Sequence, residues 1–262
     1  MKFGCCLPGG PYDAERAERL LGMGFDYAEL AAAPLAGLTD GEFAALKREV
    51  QAGGLPVETA NCFLPGELSL FREEQRDALA AHVRAVLRRA AAFGIRVVVF
   101  GSGGARRIPD GVSRETGEAV IADFLALCDG VCAETGVTLA IEPLRREECN
   151  VLNTVGEAAA LLRPLGLSHV RLLADAYHVF CEDEPLSVLE REKELLVHIH
   201  AAEPPRRVTP GADGGDYLRR FAAALRGAGY HGRVSIECGW TDFEKEMAQG
   251  LAFLRGLPFG QA

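Results

Sequence analysis

The order of elements along this 262-residue sequence predicts an α/β chain folded as a single (β/α)8 TIM barrel over residues 1–262. Three observations carry that reading. Short runs rich in Val, Ile and Leu alternate with longer segments of helical period throughout the chain. There are eight such runs, so each strand–helix unit averages roughly 33 residues, the size of a right-handed βα repeat. No linker, low-complexity tract or shift in composition divides the chain.

The predicted strands, in order, are Lys2–Leu7, Asp26–Ala31, Val57–Phe63, Arg96–Phe100, Val137–Ile141, Val170–Ala174, Leu195–His200 and Arg233–Ile236. Helical segments between them include Asp13–Leu21, Asp40–Gln51, Glu73–Phe93, Arg114–Thr135, Val155–Leu162 and Asp216–Gly227. In Glu73–Phe93 the residues Leu79, Val83, Val86, Leu87 and Ala90 form one stripe, with Arg84, Arg88 and Arg89 to its side, as a helix laid on a sheet requires. Gly24, Gly54, Gly94, Gly136 and Gly229 stand just before strands, where a left-handed cap turns the chain back. A doubly wound open sheet would carry GxGxxG after its first strand, and Gly4, Gly9 and Gly10 lack that spacing. Pro204–Pro205 and Thr209–Gly215 mark a long loop after the seventh strand, on the face where barrels keep their function.

Composition narrows the partners. The chain is 48% apolar and 25% charged, with mean hydropathy near zero, as in a soluble globular protein with a sizeable core. Its net charge of −9 repels phosphate backbones, so no nucleic acid partner is expected. The eight cysteines form no CxxC pair and no zinc-ribbon spacing, and they read as reduced thiols of a cytoplasmic protein. Pro8, Gly9 and Gly10 break the apolar start too early for a signal peptide, and no segment approaches the roughly 18 apolar residues of a membrane span. A small-molecule partner is therefore expected, with no membrane; a homo-oligomer, dimer or tetramer, stays open.

The chemistry gathers at the carboxyl ends of the last four strands, the face from which catalytic groups of this fold project. TLAIE ends at Glu142, RLLAD at Asp175, HIH at His200 and VSIE at Glu237, each one βα unit after the previous. Alternation places Ala140, Leu173, His198 and Ser235 on the same inward face, two residues earlier. Each residue alone has a plain reading, a solvated loop carboxylate or a core histidine. Four in consecutive units do not. Three converging carboxylates repel one another unless neutralised, and a divalent cation resolves the conflict. Oxygen-rich ligation with one nitrogen points to one metal ion per chain, manganese first, with magnesium, cobalt or zinc as the other candidates. Elsewhere, Gly101-Ser102-Gly103-Gly104 reads as a tight turn more readily than as a phosphate cradle, Arg106 and Arg107 as solvent-facing, and Trp240 as packing under the last helix. Glu29, ending strand two, is evenly balanced between lining the pocket and not.

The stretches IEPLRREECNVLNT, ADAYH, VHIHAAEPPR and GRVSIE resemble the sugar phosphate isomerase/epimerase group of xylose isomerase-like barrels, most of all the ketose 3-epimerases such as D-tagatose/D-psicose 3-epimerase. The resemblance runs from strand four to the C-terminus and is weak in the first third. It implies that Glu142, Asp175, His200 and Glu237 hold the metal, and that Glu142 and Glu237 are the catalytic acid/base pair on opposite faces of a bound sugar or sugar phosphate. It implies that Glu148, His178 and Arg206 bind substrate. Arg145, where the family often has Asn, and Ala176, where it often has Thr, depart from the pattern and bear on substrate identity. The implied reaction is epimerisation of a ketose at C3 through a metal-stabilised enediolate, one carboxylate taking the proton and the other returning it. Aldose–ketose or hydroxypyruvate isomerisation and keto-inositol dehydration fit the same site. An endonuclease IV-like nuclease would need more strand-end histidines than this chain's six in total supply, and a non-catalytic binding module has no use for two opposed carboxylates.

Overall fold

The computed structural model describes residues 1–7 and 12–259, so Pro8, Gly9 and Gly10 and the expectations resting on them lie outside the described residues. Eight parallel strands close in chain order: β1 (Lys2–Cys6), β2 (Tyr27–Ala31), β3 (Val57–Asn61), β4 (Val97–Phe100), β5 (Thr138–Ile141), β6 (Val170–Asp175), β7 (Leu196–Ala201) and β8 (Arg233–Ile236). Each predicted strand is present with its ends within two residues. The helices are α1 (Ala14–Met23), α2 (Asp40–Gly53), α3 (Arg76–Phe93), α4 (Gly103–Arg106), α5 (Arg114–Thr135), α6 (Val155–Leu162), α7 (Ala176–Cys181), α8 (Ser187–Arg191), α9 (Asp216–Gly227) and α10 (Phe243–Arg255). The five glycines expected as caps all adopt left-handed backbone. Short α4, α7 and α8 span too few turns for a periodic signal to stand out from loop sequence.

Two cores result. The outer one joins helices to the backs of the strands, and the α3 stripe Leu79, Val83, Val86, Leu87 and Ala90 is buried in it as expected. The inner one fills part of the barrel with Val97, Val99, Ala140 and Leu173. Tyr27 also points inside, and it fits only because β1 carries no side chain at Gly4: a Cβ there would stand 2.2 Å from the Tyr27 ring. All eight cysteines are unpaired. No helix among the described residues is long and apolar enough to cross a membrane.

Arg106 corrects the sequence reading. Far from facing solvent, it is fully buried, because α4 turns it beneath the strand ends. There its guanidinium donates to the carbonyls of Phe100 (2.8 Å) and Glu142 (2.8 Å), tying the end of β4 to the end of β5. Arg107 is exposed, as expected.

Candidate metal centre and active site

Parallel ladders bring four strand ends to one level. Asp175 lies opposite His200, and His200 opposite Ser235, two residues before Glu237. Glu142 follows β5 directly. One ligand atom from each of Glu142, Asp175, His200 and Glu237 lies within 4.8 Å of the others. The sequence-predicted ligand set is thus brought together. Asp175 has a second duty, since its Oδ1 accepts from the Tyr177 N–H (2.8 Å) and caps α7. Gly101 makes room for the cluster: a Cβ there would stand 2.5 Å from Glu142 Oε2. That is the physical demand for glycine at position 101.

The charges in this cluster are unequal. Burial, then the charge of Glu237, pushes the Glu142 carboxyl up, and burial lifts Asp175 to about 6. Burial also opposes ionisation of Glu237, yet His200 and Arg207 outweigh it and hold that group at about 2. His200 meets Glu142 at 3.2 Å and Glu237 at 3.4 Å through Nδ1, and Glu29 and Glu237 raise its pKa well above the usual value despite its burial. Asp175 Oδ2 is buried without a hydrogen-bond partner. An unpartnered carboxylate oxygen, two further carboxylates and one imidazole converging on a point are a donor set that suits a divalent cation.

Other predicted contacts divide. His178 is buried against the cluster; its Nδ1 accepts from the Arg145 N–H (3.2 Å), which leaves its Nε2–H, 3.7 Å from Asp175 Oδ2, without an acceptor inside the site. Glu148 is partly exposed at the rim and accepts from Arg145 Nε (2.8 Å), a contact that depends on the arginine at position 145, whereas the bond to His178 uses only its backbone. Arg206, in contrast, turns outward and pairs with Asp213, its side chain 64% exposed. Its neighbour Arg207, at φ 54°, reverses the chain and points in. Arg207 Nη2 lies 2.6 Å from Glu237 Oε2 and 3.6 Å from Asp175 Oδ2, and its guanidinium stacks on Tyr177. The resemblance implies Arg206, the first of two adjacent arginines; the positive φ at Arg207, which sends the second one inward, leaves no trace in composition.

Two more groups bear on the site: Asn61, which the sequence does not point out, and Glu29, which the sequence leaves evenly balanced. Asn61, at the end of β3, donates to Glu237 Oε1 (2.9 Å). Glu29 lies beneath the ligands, 1% exposed, instead of lining the pocket, and bonds His200 Nε2 at 2.9 Å and His198 Nε2 at 2.8 Å. A carboxylate inside an otherwise apolar strand, YAELA, was the available signal. Trp240 packs edge-on against Phe243 at the start of α10.

A family model described as "Xylose isomerase-like TIM barrel" matches residues 17–257. The 3-dehydro-D-guloside 4-epimerase of Escherichia coli is 29% identical, covering 82% of each chain. The D-psicose 3-epimerase of Agrobacterium fabrum is 28% identical over 87% of this chain and 78% of its own. The apo crystal structure of an E. coli 3-keto-D-glucoside 4-epimerase superposes with a TM-score of 0.83 at 26% identity, covering 97% of this chain and 99% of its own.

Proposed function

The chain belongs to the xylose isomerase-like TIM barrel family, and we propose that it is a divalent-metal-dependent sugar epimerase that inverts the carbon beside a ketone, C3 of a ketose. The observation that carries this reading is a pair of carboxylates, Glu142 after β5 and Glu237 after β8, meeting the same His200 nitrogen at 3.2 and 3.4 Å. Both relatives named above are epimerases, and the sugar in each name carries the inverted carbon next to a carbonyl.

A proton on such a carbon is too weakly acidic for a free carboxylate to remove at a useful rate. A divalent cation, manganese first, held by Glu142, Asp175, His200 and Glu237 would supply Lewis acidity toward the carbonyl and the hydroxyl next to it. The residues do the rest. One of Glu142 and Glu237 takes the proton from one face of the carbon, and the other returns a proton to the opposite face, which inverts the centre; their roles exchange in the reverse direction. Asn61 and Arg207 hold Glu237 in place by its two oxygens. The free Nε2–H of His178 and the carboxylate of Glu148 at the rim are suited to orienting sugar hydroxyls.

A second reading shares the chemistry and moves it by one carbon: C4 of a 3-keto-glycoside, which the E. coli relative's name favours. Turnover of ketohexoses, ketopentoses, their phosphates and 3-keto-glycosides by one preparation, stripped with chelator and reloaded with Mn2+, tests both. Inversion at C3 of a free ketose, lost on stripping and restored on reloading, is the expected result. Turnover that survives chelation, or none with any of these sugars, would overturn the proposal.

A further inference from the structure

Below the four ligands, in the next layer of the barrel, the Glu29 carboxylate is surrounded by donors. His200 Nε2 lies 2.9 Å from Oε1; His198 Nε2 (2.8 Å), Thr59 Oγ1 (2.7 Å) and Ser235 Oγ (2.6 Å) meet Oε2. An ionised carboxylate can only accept, so both imidazoles must carry a proton on Nε2. Ser235 spends its one proton on Glu29, and Tyr27 O–H therefore donates to Ser235 (2.8 Å). Strands β2, β3, β7 and β8 each contribute to this network, and none of its side chains reaches solvent. Committing Nε2 downward leaves Nδ1 as the His200 nitrogen that faces Glu142 and Glu237.

We infer that Glu29 is a positioning residue for the metal centre: it fixes the ring and the tautomer of His200, and so sets how tightly the site holds its cation without touching cation or substrate. The inference rests on the metal site proposed above. Partners that orient ligating histidines in this way contribute about 10–100-fold to metal affinity. A rival account makes the Glu29, His198 and His200 atoms, which also lie within 4.8 Å of one another, a second metal site. The four short hydrogen bonds argue against it, because the oxygens that would ligate are already occupied by protons.

The test needs no substrate. Mn2+ binding to the wild-type chain, Glu29→Asp and Glu29→Gln is measured by titration with detection of free Mn2+ by electron paramagnetic resonance. Glu29→Gln keeps the shape of the side chain but puts an amide donor where two imidazoles must be accepted. Glu29→Asp is shorter yet still accepts. A purely packing role would favour Gln over Asp; a positioning role predicts the reverse order, with Glu29→Gln losing about 10–100-fold in affinity. If either variant fails to fold, the tautomer can be read in the wild-type protein by nitrogen-15 NMR of its histidines, loaded with diamagnetic Mg2+ or Zn2+. The expected result is a proton on Nε2 of both His198 and His200. Equal Mn2+ affinity in Glu29→Gln, two ions per wild-type chain, or His200 ligating through Nε2 would each overturn the inference while leaving a metal enzyme. No Mn2+ binding by the wild-type chain would overturn it together with the metal site.

Discussion

Across β4, β5 and β6 the barrel interior is filled by Val97, Val99, Ala140 and Leu173; across β2, β3, β7 and β8 it is filled by Tyr27, Glu29, Thr59, His198 and Ser235. Both halves are buried, and both carry metal-competent side chains on their upper rim. They differ in what they ask of those side chains. The apolar half gains from any well-packed aliphatic set, since dispersion and transfer from water are indifferent to direction. The polar half is stable only if every donor finds its acceptor, because an unsatisfied buried group costs about 1–3 kcal/mol. Such a network fixes direction, and here it ends on His200, the one nitrogen donor of the four-residue cluster. Glu142 is instead steadied from behind, by Arg106 on its carbonyl and by the space that Gly101 leaves.

The largest effect should be common to both halves. Glu142→Gln, over the apolar half, and Glu237→Gln, over the polar half, should each lose about 10²–10⁴-fold in kcat after reloading with metal, measured on the substrate identified by the panel above. Near wild-type turnover in either would remove that residue from the proton-transfer pair. Next in size, Leu173→Ala should lower stability by about 2–5 kcal/mol in denaturant unfolding, a cavity effect, and leave Mn2+ affinity nearly unchanged in the protein that remains folded. Thr59→Val keeps shape in the polar half but deletes one donor to Glu29; about 1–3 kcal/mol of stability should be lost, and Mn2+ affinity with it. A Leu173→Ala that cost metal affinity more than Thr59→Val would erase the distinction between the halves. Smallest, Arg206→Ala removes an exposed pair with Asp213 and should change stability by less than about 1 kcal/mol and leave KM within a few-fold. Arg207→Ala, which removes a partner of Glu237, should impair kcat/KM by more, and the opposite ranking would favour Arg206 as the substrate contact.

The difference between the halves also explains what could be read in the sequence. Strands and long helices declare themselves by period, and the candidate ligands by recurring once per βα unit, so β5 to β8 and the four side chains that cluster at their ends are legible. His198 and Ser235 were placed on the inward face by alternation, but alternation does not say which residue of a distant strand completes a hydrogen bond. Glu29 is separated by 169 residues from His198 and by 171 from His200, and Asn61 by 176 from Glu237; those pairings exist only once the barrel has closed. The exchange of Arg206 for Arg207 turns on one backbone dihedral, and the burial of Arg106 on a four-residue helix. Neither has a periodic signature.

Two carboxylates that pass a proton to and from the carbon beside a carbonyl, as proposed, exchange that proton with solvent. Running the reaction in deuterated water with Mn2+, and locating the label in the product by NMR, tests it most directly. Deuterium is expected at the inverted carbon, C3 for a ketose or C4 for a 3-keto-glycoside, with inversion lost after Glu142→Gln or Glu237→Gln. Inversion without solvent label, or label confined to C1 as in an aldose–ketose shift, would contradict it.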